Sequence, residues 1–151
     1  MNLNQKETTL LKDLRDQEQL CVDKYARYSD QACAGELKNL FASIRDVEKS
    51  HLDSINSTLN GTEPKKPSSY VDQTGCGCGC VNYDDGCSKE CDKYLCQDAL
   101  ATEKHASSLY NTCIFEFADT AVRNRLNHIQ SEEQKHGELI YSYMSKNGMY
   151  C

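Results

Sequence analysis

The sequence has no tryptophan, only two prolines among 151 residues, and no excess of basic side chains. Its 17 lysines and arginines are outnumbered by 23 aspartates and glutamates, which gives a net charge of −6. A nucleic-acid-binding domain usually shows a basic patch, so this charge argues against that class of protein. No apolar run approaches the roughly 20 residues of a membrane helix, and residues 1–10 lack the features of a signal peptide. We therefore expect one domain, residues 1–151, that is made in the cytoplasm and binds neither nucleic acid nor membrane.

Cysteine, in contrast, is abundant, with ten residues of this type in the chain. Disulfides are rare in a reducing compartment, so ten cysteines are unusual for a cytoplasmic protein. We expect that they bind metal, or that the protein ends up in a more oxidising place without export by a signal peptide.

One constellation of residues occurs twice, with an offset of 85 positions between the copies. Each copy has a glutamate, a second glutamate 30 residues later, and a histidine three residues after the second glutamate. The members are Glu18, Glu48 and His51 in the first copy and Glu103, Glu133 and His136 in the second. Such an internal repeat predicts that the two halves of the chain fold in the same way.

Apolar residues recur every three to four positions in four segments, as they do on one face of a helix. The predicted helices span residues 5–32, 36–59, 91–117 and 119–147. Asn4, with Glu7 three residues later, predicts a capping box at the start of the first helix. Asn60-Gly61 and Asn147-Gly148 predict the ends of the second and fourth helices, because glycine often follows a helix C-terminus.

Residues 61–90 differ from the rest because they hold both prolines and the run Gly75-Cys76-Gly77-Cys78-Gly79-Cys80. No helical period survives there, which predicts a connection between helices. A helix of about 22 residues rises roughly 33 Å, and an extended chain covers that length in about ten residues. The connection is therefore long enough to run the full length of a helical bundle.

The predicted fold class is all-α, a four-helix bundle made of two helical hairpins. The hairpins comprise residues 5–60 and 91–147, the crossover residues 61–90, and a tail residues 148–151. A crossover of full length makes the two inner helices parallel, as in bundles with one long connection.

All six repeated residues lie on the apolar faces of the predicted helices, so we expect them to face the core. In each hairpin the two glutamates are equally far from the turn, which places them at the same height. Burying four bare carboxylates would cost far more than the about 5–15 kcal/mol by which a domain is stable, but two divalent cations would cancel the charge. The alternative, four surface glutamates and two incidental histidines, requires all six to match in face and height by chance.

This set matches the ligands of di-iron and di-manganese carboxylate bundles, in which two helices each contribute a glutamate and two contribute Glu-x-x-His. Its oxygen-rich composition favours two iron or manganese ions, with zinc as a substitute. Tyr25 and Tyr110 each follow a predicted ligand glutamate by seven residues, two turns along the same helix face. Either their hydroxyls hold the ligand carboxylates in place, or their rings simply pack the core. No catalytic residue beyond the metal ligands is predicted.

Nine of the ten cysteines fall into two groups, and the tenth, Cys33, lies in the turn between the first two predicted helices. Those predicted to cross-link chains or to form a thiolate metal site are Cys76, Cys78, Cys80, Cys87, Cys91 and Cys151. Their spacing is not that of a zinc ribbon, which needs paired Cys-x-x-Cys motifs, and free thiols are a third interpretation. Cys21, Cys96 and Cys113 lie on helix faces and are expected to be small core residues.

The second half of the chain carries several recognisable motifs. They are Asp98-Ala99-Leu100, Glu103-Lys104-His105, Ser108-Leu109-Tyr110, Glu132-Glu133-Gln134-Lys135-His136-Gly137 and Asn147-Gly148-Met149-Tyr150. With these motifs the second half resembles the spore coat F family. More loosely, all four helices look like the ferritin-like superfamily, which includes rubrerythrins and manganese catalases. The resemblance implies a ferritin-like four-helix bundle in the coat of bacterial endospores, and it leaves the reaction open.

Two functions are consistent with these observations. The first is a structural coat protein that self-associates as a dimer or larger assembly, with or without other coat proteins, and is locked by cysteine cross-links. The second is a di-metal oxidase or peroxidase that consumes peroxide or oxygen, similar to a rubrerythrin or a manganese catalase. A rubredoxin-type electron-transfer module is not expected, because the chain lacks the paired Cys-x-x-Cys motifs of such a centre.

Overall fold

A computed structural model describes residues 2–62, 83 and 88–150 of the protein. These residues form four α-helices and contain no β-strand, which confirms the all-α fold class. The helices are α1 (Gln5–Gln31), α2 (Gly35–Leu59), α3 (Lys89–Glu116) and α4 (Thr120–Lys146). The predicted bounds differ from these by at most two residues. The largest difference is the start of α3, where the Ser88 hydroxyl accepts a hydrogen bond from the Cys91 amide and so begins the helix earlier than expected.

Side-chain caps fix where helices begin. Asn4 Oδ1 accepts a hydrogen bond from the Glu7 amide at 2.9 Å, and the Glu7 carboxylate accepts one from the Asn4 amide at 2.9 Å. This reciprocal pair is the predicted capping box. At the start of α4, the Asp119 carboxylate accepts hydrogen bonds from the amides of Ala121 and Val122. Both caps satisfy first-turn amides that have no partner within their own helix.

Helices α2 and α4 end at the asparagine-glycine pairs that predicted their ends. Asn60 and Asn147 are the C-caps. Gly61 and Gly148 follow with φ angles of 69° and 61°, in the left-handed region that glycine adopts without a steric penalty.

The two hairpins meet mainly along α1 and α3, which run antiparallel. Towards one end of the bundle, the Glu7 carboxylate of α1 accepts a hydrogen bond from the Ala118 amide at the end of α3. Further along, Lys24 donates to the Thr102 hydroxyl at 2.8 Å. Because α2 and α3 are both antiparallel to α1, they are parallel to each other, which is the predicted arrangement. Most of the crossover lies outside the described residues, which include only residues 61, 62, 83 and 88–90 of it.

Asp92 fixes the end of the bundle at which α1 turns into α2. Its buried carboxylate accepts hydrogen bonds from the Cys33 and Ala34 amides at 2.7 and 3.0 Å, and from the Tyr83 hydroxyl at 3.1 Å. These two amides lie in the turn, where helical hydrogen bonding is interrupted, and buried amides need a partner. Asp92 therefore holds the turn of the first hairpin against the first turn of α3.

The apolar core has two parts, one towards each end of the bundle. Along α4, Ile129 belongs to one part and Ile140 to the other, and Glu133 and His136 lie between them. The cysteines predicted to be core residues, Cys21, Cys96 and Cys113, are buried in these two parts. The middle layer of the bundle is therefore polar, although the layers above and below it are hydrocarbon.

Candidate metal centre

Six polar side chains from all four helices meet in this middle layer, and we call them the carboxylate–histidine cluster. Its members are Glu18 of α1, Glu48 and His51 of α2, Glu103 of α3, and Glu133 and His136 of α4. Each is at most 4% exposed. Their convergence is the geometry that the repeat indicates, whereas their role as metal ligands stays a prediction.

Within the cluster, possible ligand atoms form two overlapping groups of four residues. The first group is Glu18, Glu48, His51 and Glu133, and the second is Glu48, Glu103, Glu133 and His136. In each group the ligand atoms, one per residue, lie within 4.8 Å of one another. Glu48 and Glu133 belong to both groups, and each carboxylate has two oxygens. The cluster therefore offers two adjacent places for a cation, with two glutamates shared between them.

Both histidines direct Nδ1 towards the carboxylates. His51 Nδ1 lies 3.0 Å from a Glu133 oxygen and 3.3 Å from a Glu48 oxygen. His136 Nδ1 lies 3.0 Å from the other Glu48 oxygen and 3.4 Å from a Glu103 oxygen. The two imidazole rings stack with centroids 5.8 Å apart. The same nitrogen of each ring is thus placed to bind a cation together with the glutamates.

The cluster shifts the protonation of its own members. Burial, reinforced by the charge of Glu48, raises the pKa of Glu18 to about 7. Burial and the charges of Glu48 and Glu18 raise the pKa of Glu133 well above its usual value. Burial acts in that direction on Glu48 too, but the two histidines hold its pKa below the ordinary value. Against the effect of burial, Glu48 in turn raises the pKa of His136 to about 9. Protons therefore balance part of the charge, and bound cations would displace them.

The donor set fits divalent cations that prefer oxygen ligands. Glu133 Oε2 is buried and accepts no hydrogen bond from any described residue. A buried carboxylate oxygen without a partner costs free energy, and a cation bound beside it removes that cost. Four carboxylates and two imidazoles suit iron or manganese better than soft metals, which prefer thiolates.

Tyr25 and Tyr110 contact the cluster across the interface between the hairpins. The Tyr25 hydroxyl on α1 donates a hydrogen bond to Glu103 on α3, and the Tyr110 hydroxyl on α3 donates one to Glu18 on α1. Burial and these carboxylates raise the pKa of both tyrosines well above the ordinary value, so both hydroxyls keep the proton that they donate. The contacts favour the interpretation in which the hydroxyls hold cluster carboxylates in place.

Glu132 contacts the cluster from outside and is not among the residues predicted from the sequence. Its Oε2 lies 2.9 Å from His51 Nε2 and 3.4 Å from His128 Nε2. Glu132 is 15% exposed and His128 46% exposed, so this chain of contacts leads from the cluster to the surface. The position of Glu132 directly before Glu133 is the one local sequence signal that points to it.

A groove between α3 and α4 opens the second hairpin towards the cluster, and we call it the α3–α4 groove. Its volume is about 660 Å³, within the range of roughly 300–1,000 Å³ that is usual for small-molecule sites. Glu103 and Glu133 of the cluster line it. Ser107 of α3 and Gly137 of α4 line it as well, and neither was predicted as a site residue.

Among the cysteines predicted to cross-link or to bind metal, Cys91 lies within the described part of the chain. It is exposed in the first turn of α3 and forms no disulfide with another described residue. The others, Cys76, Cys78, Cys80, Cys87 and Cys151, lie outside the described residues. The proposed thiol chemistry therefore stays a prediction.

Fold and cluster together define the class of protein: a four-helix bundle of two hairpins that buries a pair of overlapping carboxylate–histidine groups. Residues 91–150, which cover nearly all of α3 and the whole of α4, match the Coat F domain family. The predicted resemblance to the spore coat F family is thus confirmed for the second hairpin. Neither the curated proteins nor the solved structures contain a match to the chain. In the described part of the chain, no helix has the length and apolar character needed to span a membrane.

Proposed function

We propose that the protein is a spore-coat protein with a di-iron or di-manganese carboxylate site buried between its two hairpins, in a ferritin-like bundle. The Coat F match of residues 91–150 supports the coat location. The observation that carries the metal site is that Glu48 and Glu133 each belong to both groups of possible ligands. Acidic residues on a surface need no cation, but these two are at most 1% exposed.

Each cation position has one glutamate and one histidine of its own and shares Glu48 and Glu133 with the other position. Since the ligands come from four helices, a bound pair of cations ties both hairpins together. Bound iron or manganese would also supply Lewis-acid and redox chemistry at mid-bundle. The residues of this chain orient the ligand oxygens, hold Nδ1 of both histidines inward, and exclude bulk water.

Elemental mass spectrometry of the protein purified from sporulating cells tests the metal site. We expect about two iron or manganese ions per chain, as in other bundles with this ligand set. Glu48→Ala removes a shared ligand and should abolish binding of both ions. Asp46→Ala, which removes an exposed carboxylate from the same helix, should retain them. Wild-type protein that contains only zinc, or that binds no metal after reconstitution, would contradict the proposal.

A second candidate function is a di-metal oxidoreductase that acts on peroxide or oxygen. The α3–α4 groove favours it, because Glu103 and Glu133 line a space that a small oxidant can enter from solvent. The test is turnover of hydrogen peroxide and of dioxygen by iron- and manganese-loaded protein, with Glu48→Ala as the inactive comparison. If the fully loaded wild-type protein consumes neither oxidant, the oxidoreductase candidate fails and the structural coat protein remains.

The coat role, as we propose it, includes self-association and cysteine cross-linking, alone or with other coat proteins, after synthesis in the cytoplasm. The exposure of Cys91 at one end of the bundle supports this chemistry. Oxidised protein should run as multimers on a gel without reductant and as a monomer with reductant. Monomeric protein under both conditions would exclude cross-links between copies of the chain.

A further inference from the structure

The two hairpins share the cluster residues but differ in the side chains that cover them from outside. In the second hairpin, Ser107 and Gly137 line the α3–α4 groove. The repeat places Val22 and Leu52 at the corresponding positions of the first hairpin. Val22 is buried and Leu52 is half-buried. Apolar side chains therefore stand in the first hairpin where the second has a hydroxyl and a bare Cα.

The backbone conformation at position 137 does not require glycine. What Gly137 provides is space in the groove. It lies in the interior of α4 and has no positive φ. Within the described part of the chain, a Cβ added to it would meet only Leu100 Cδ2, at the ordinary contact distance of 4.0 Å. A glycine inside a helix costs roughly 0.5–1 kcal/mol relative to alanine. Glycine at position 137 thus lowers helix stability and leaves this part of the α3–α4 groove without a side chain.

The lining of the groove suits a small hydrated cation. Glu103 and Glu133 lie at its inner end, and Glu138, an exposed carboxylate, also lines it. Among the described residues that line the groove, Lys104 is the one basic side chain, so negative charge prevails there. The volume of about 660 Å³ far exceeds the roughly 10–15 Å³ that one water needs, so the groove has room for a cation together with hydration water.

We propose that the α3–α4 groove is the route by which divalent cations reach the cluster, so that both positions load through the second hairpin. This inference rests on the proposed metal site and adds the direction of loading. Glu103 lines the groove and is 4% exposed, whereas Glu18 on the opposite side is fully buried. The position that includes Glu103 and His136 therefore fills first, and the position that includes Glu18 fills second.

Stopped-flow mixing of metal-free protein with Co²⁺, followed by the visible absorption of the bound ion, measures the loading rate directly. Ser107→Val and Gly137→Leu copy into the second hairpin the residues that the first hairpin already carries. We expect each to slow Co²⁺ uptake about tenfold, which corresponds to about 1.4 kcal/mol in the barrier, with an unchanged final stoichiometry. Gly137→Ala, which adds one methyl group, should have a much smaller effect.

The matched control is Ala26→Leu on α1, at the repeat position of the groove residue Asn111. It places a leucine on the first hairpin and should leave the uptake rate unchanged. Circular dichroism of every variant verifies the fold, and Ser107→Val keeps the test valid should the leucine at position 137 disturb α4.

The outcomes separate the two proposals. Wild-type uptake rates in both Ser107→Val and Gly137→Leu would overturn the entry route and leave the metal site standing. Equal slowing by Ala26→Leu would also overturn it, because cations would then enter without regard to the hairpin. Wild-type protein that binds no Co²⁺ would overturn the metal site and the route together.

Discussion

Glu132 lies outside the repeated set of residues and contacts one histidine of the cluster. It contacts Nε2 of His51, the ring nitrogen that points away from the other carboxylates. The repeat-related position is Val47, whose side chain has no hydrogen bond to offer to the second histidine, His136. A carboxylate on the far nitrogen fixes the tautomer and orientation of a ligand histidine. The first cation position therefore has a histidine that Glu132 supports from outside the cluster.

Replacing this support should weaken one of the two cation positions and spare the other. We expect Glu132→Gln to reduce the affinity of the His51 position about 10- to 100-fold, as is usual for the loss of such a partner. An equilibrium titration with Co²⁺ should then show two separate phases. Asp53→Asn, which neutralises an exposed carboxylate on α2, the helix of His51, is the control. An equal loss of affinity at both positions would show that Glu132 acts on the whole cluster and not through His51.

Hydrophobic periodicity predicts the six cluster residues but not all of the residues that contact them. The six cluster residues lie on apolar faces and recur in the repeat, so two independent patterns select them. Glu132 is one residue, about 100°, around the helix from Glu133, and periodicity assigns that direction to the surface. Its contact with His51 depends on how α4 packs against α2. Tyr25 and Tyr110 are on the expected helix faces, but their hydrogen-bond partners lie in the opposite hairpin. Which carboxylate each tyrosine contacts depends on how the two hairpins dock, and periodicity does not predict that.

At the scale of the helices, local signals are strong because caps are local interactions. Asn4 with Glu7, and the asparagine-glycine pairs that end α2 and α4, involve residues within four positions of one another. Their hydrogen bonds form whatever the rest of the chain does, so the helix ends are readable from the sequence. The groove is different, because it arises from the absence of side chains at Ser107 and Gly137 between two helices. Comparison of the repeat positions, Val22 and Leu52, is the sequence signal that reveals it.

The Asp92 carboxylate connects α3 to the α1–α2 turn and to Tyr83, so its removal should lower the stability of the fold. Asparagine at this position has one acceptor oxygen in place of two, so one amide of the α1–α2 turn loses its partner. We expect Asp92→Asn to lower the free energy of unfolding by about 1–3 kcal/mol, the usual cost of a buried unsatisfied group. The melting temperature should fall by roughly 2–4 °C for each kcal/mol. Glu90→Gln, an equal charge change at an exposed site in the same turn of α3, should leave the melting temperature unchanged.

At the scale of the whole molecule, the buried charge of the cluster opposes the packing of the two hairpins. Its carboxylates lie between two apolar layers that pack only if the polar layer is electrically balanced. In the metal-free protein, protons on Glu18 and His136 contribute to that balance, since their pKa values are raised to about 7 and about 9. Cations that replace these protons bind all four helices at once, so metal binding and bundle stability are linked.

This linkage predicts the direction in which pH changes metal binding. Below pH 7 Glu18 is mostly protonated, and below pH 9 His136 is mostly protonated, so protons must leave before both groups can bind a cation. Affinity should therefore rise as pH increases from below 7 towards 9, and loading near pH 7 should release protons. Calorimetric titrations with Co²⁺, in buffers that differ in ionisation enthalpy, count the protons released.

The control for this measurement is Glu48→Ala, which removes a shared ligand and should release few or no protons when Co²⁺ is added. Adsorption of Co²⁺ to exposed carboxylates would give the same calorimetric signal in both proteins, because Glu48 is buried and its replacement leaves the surface carboxylates in place. Wild-type protein that binds two ions with no proton release and no pH dependence would contradict the prediction. It would mean that ions occupy surface carboxylates and leave the buried layer protonated.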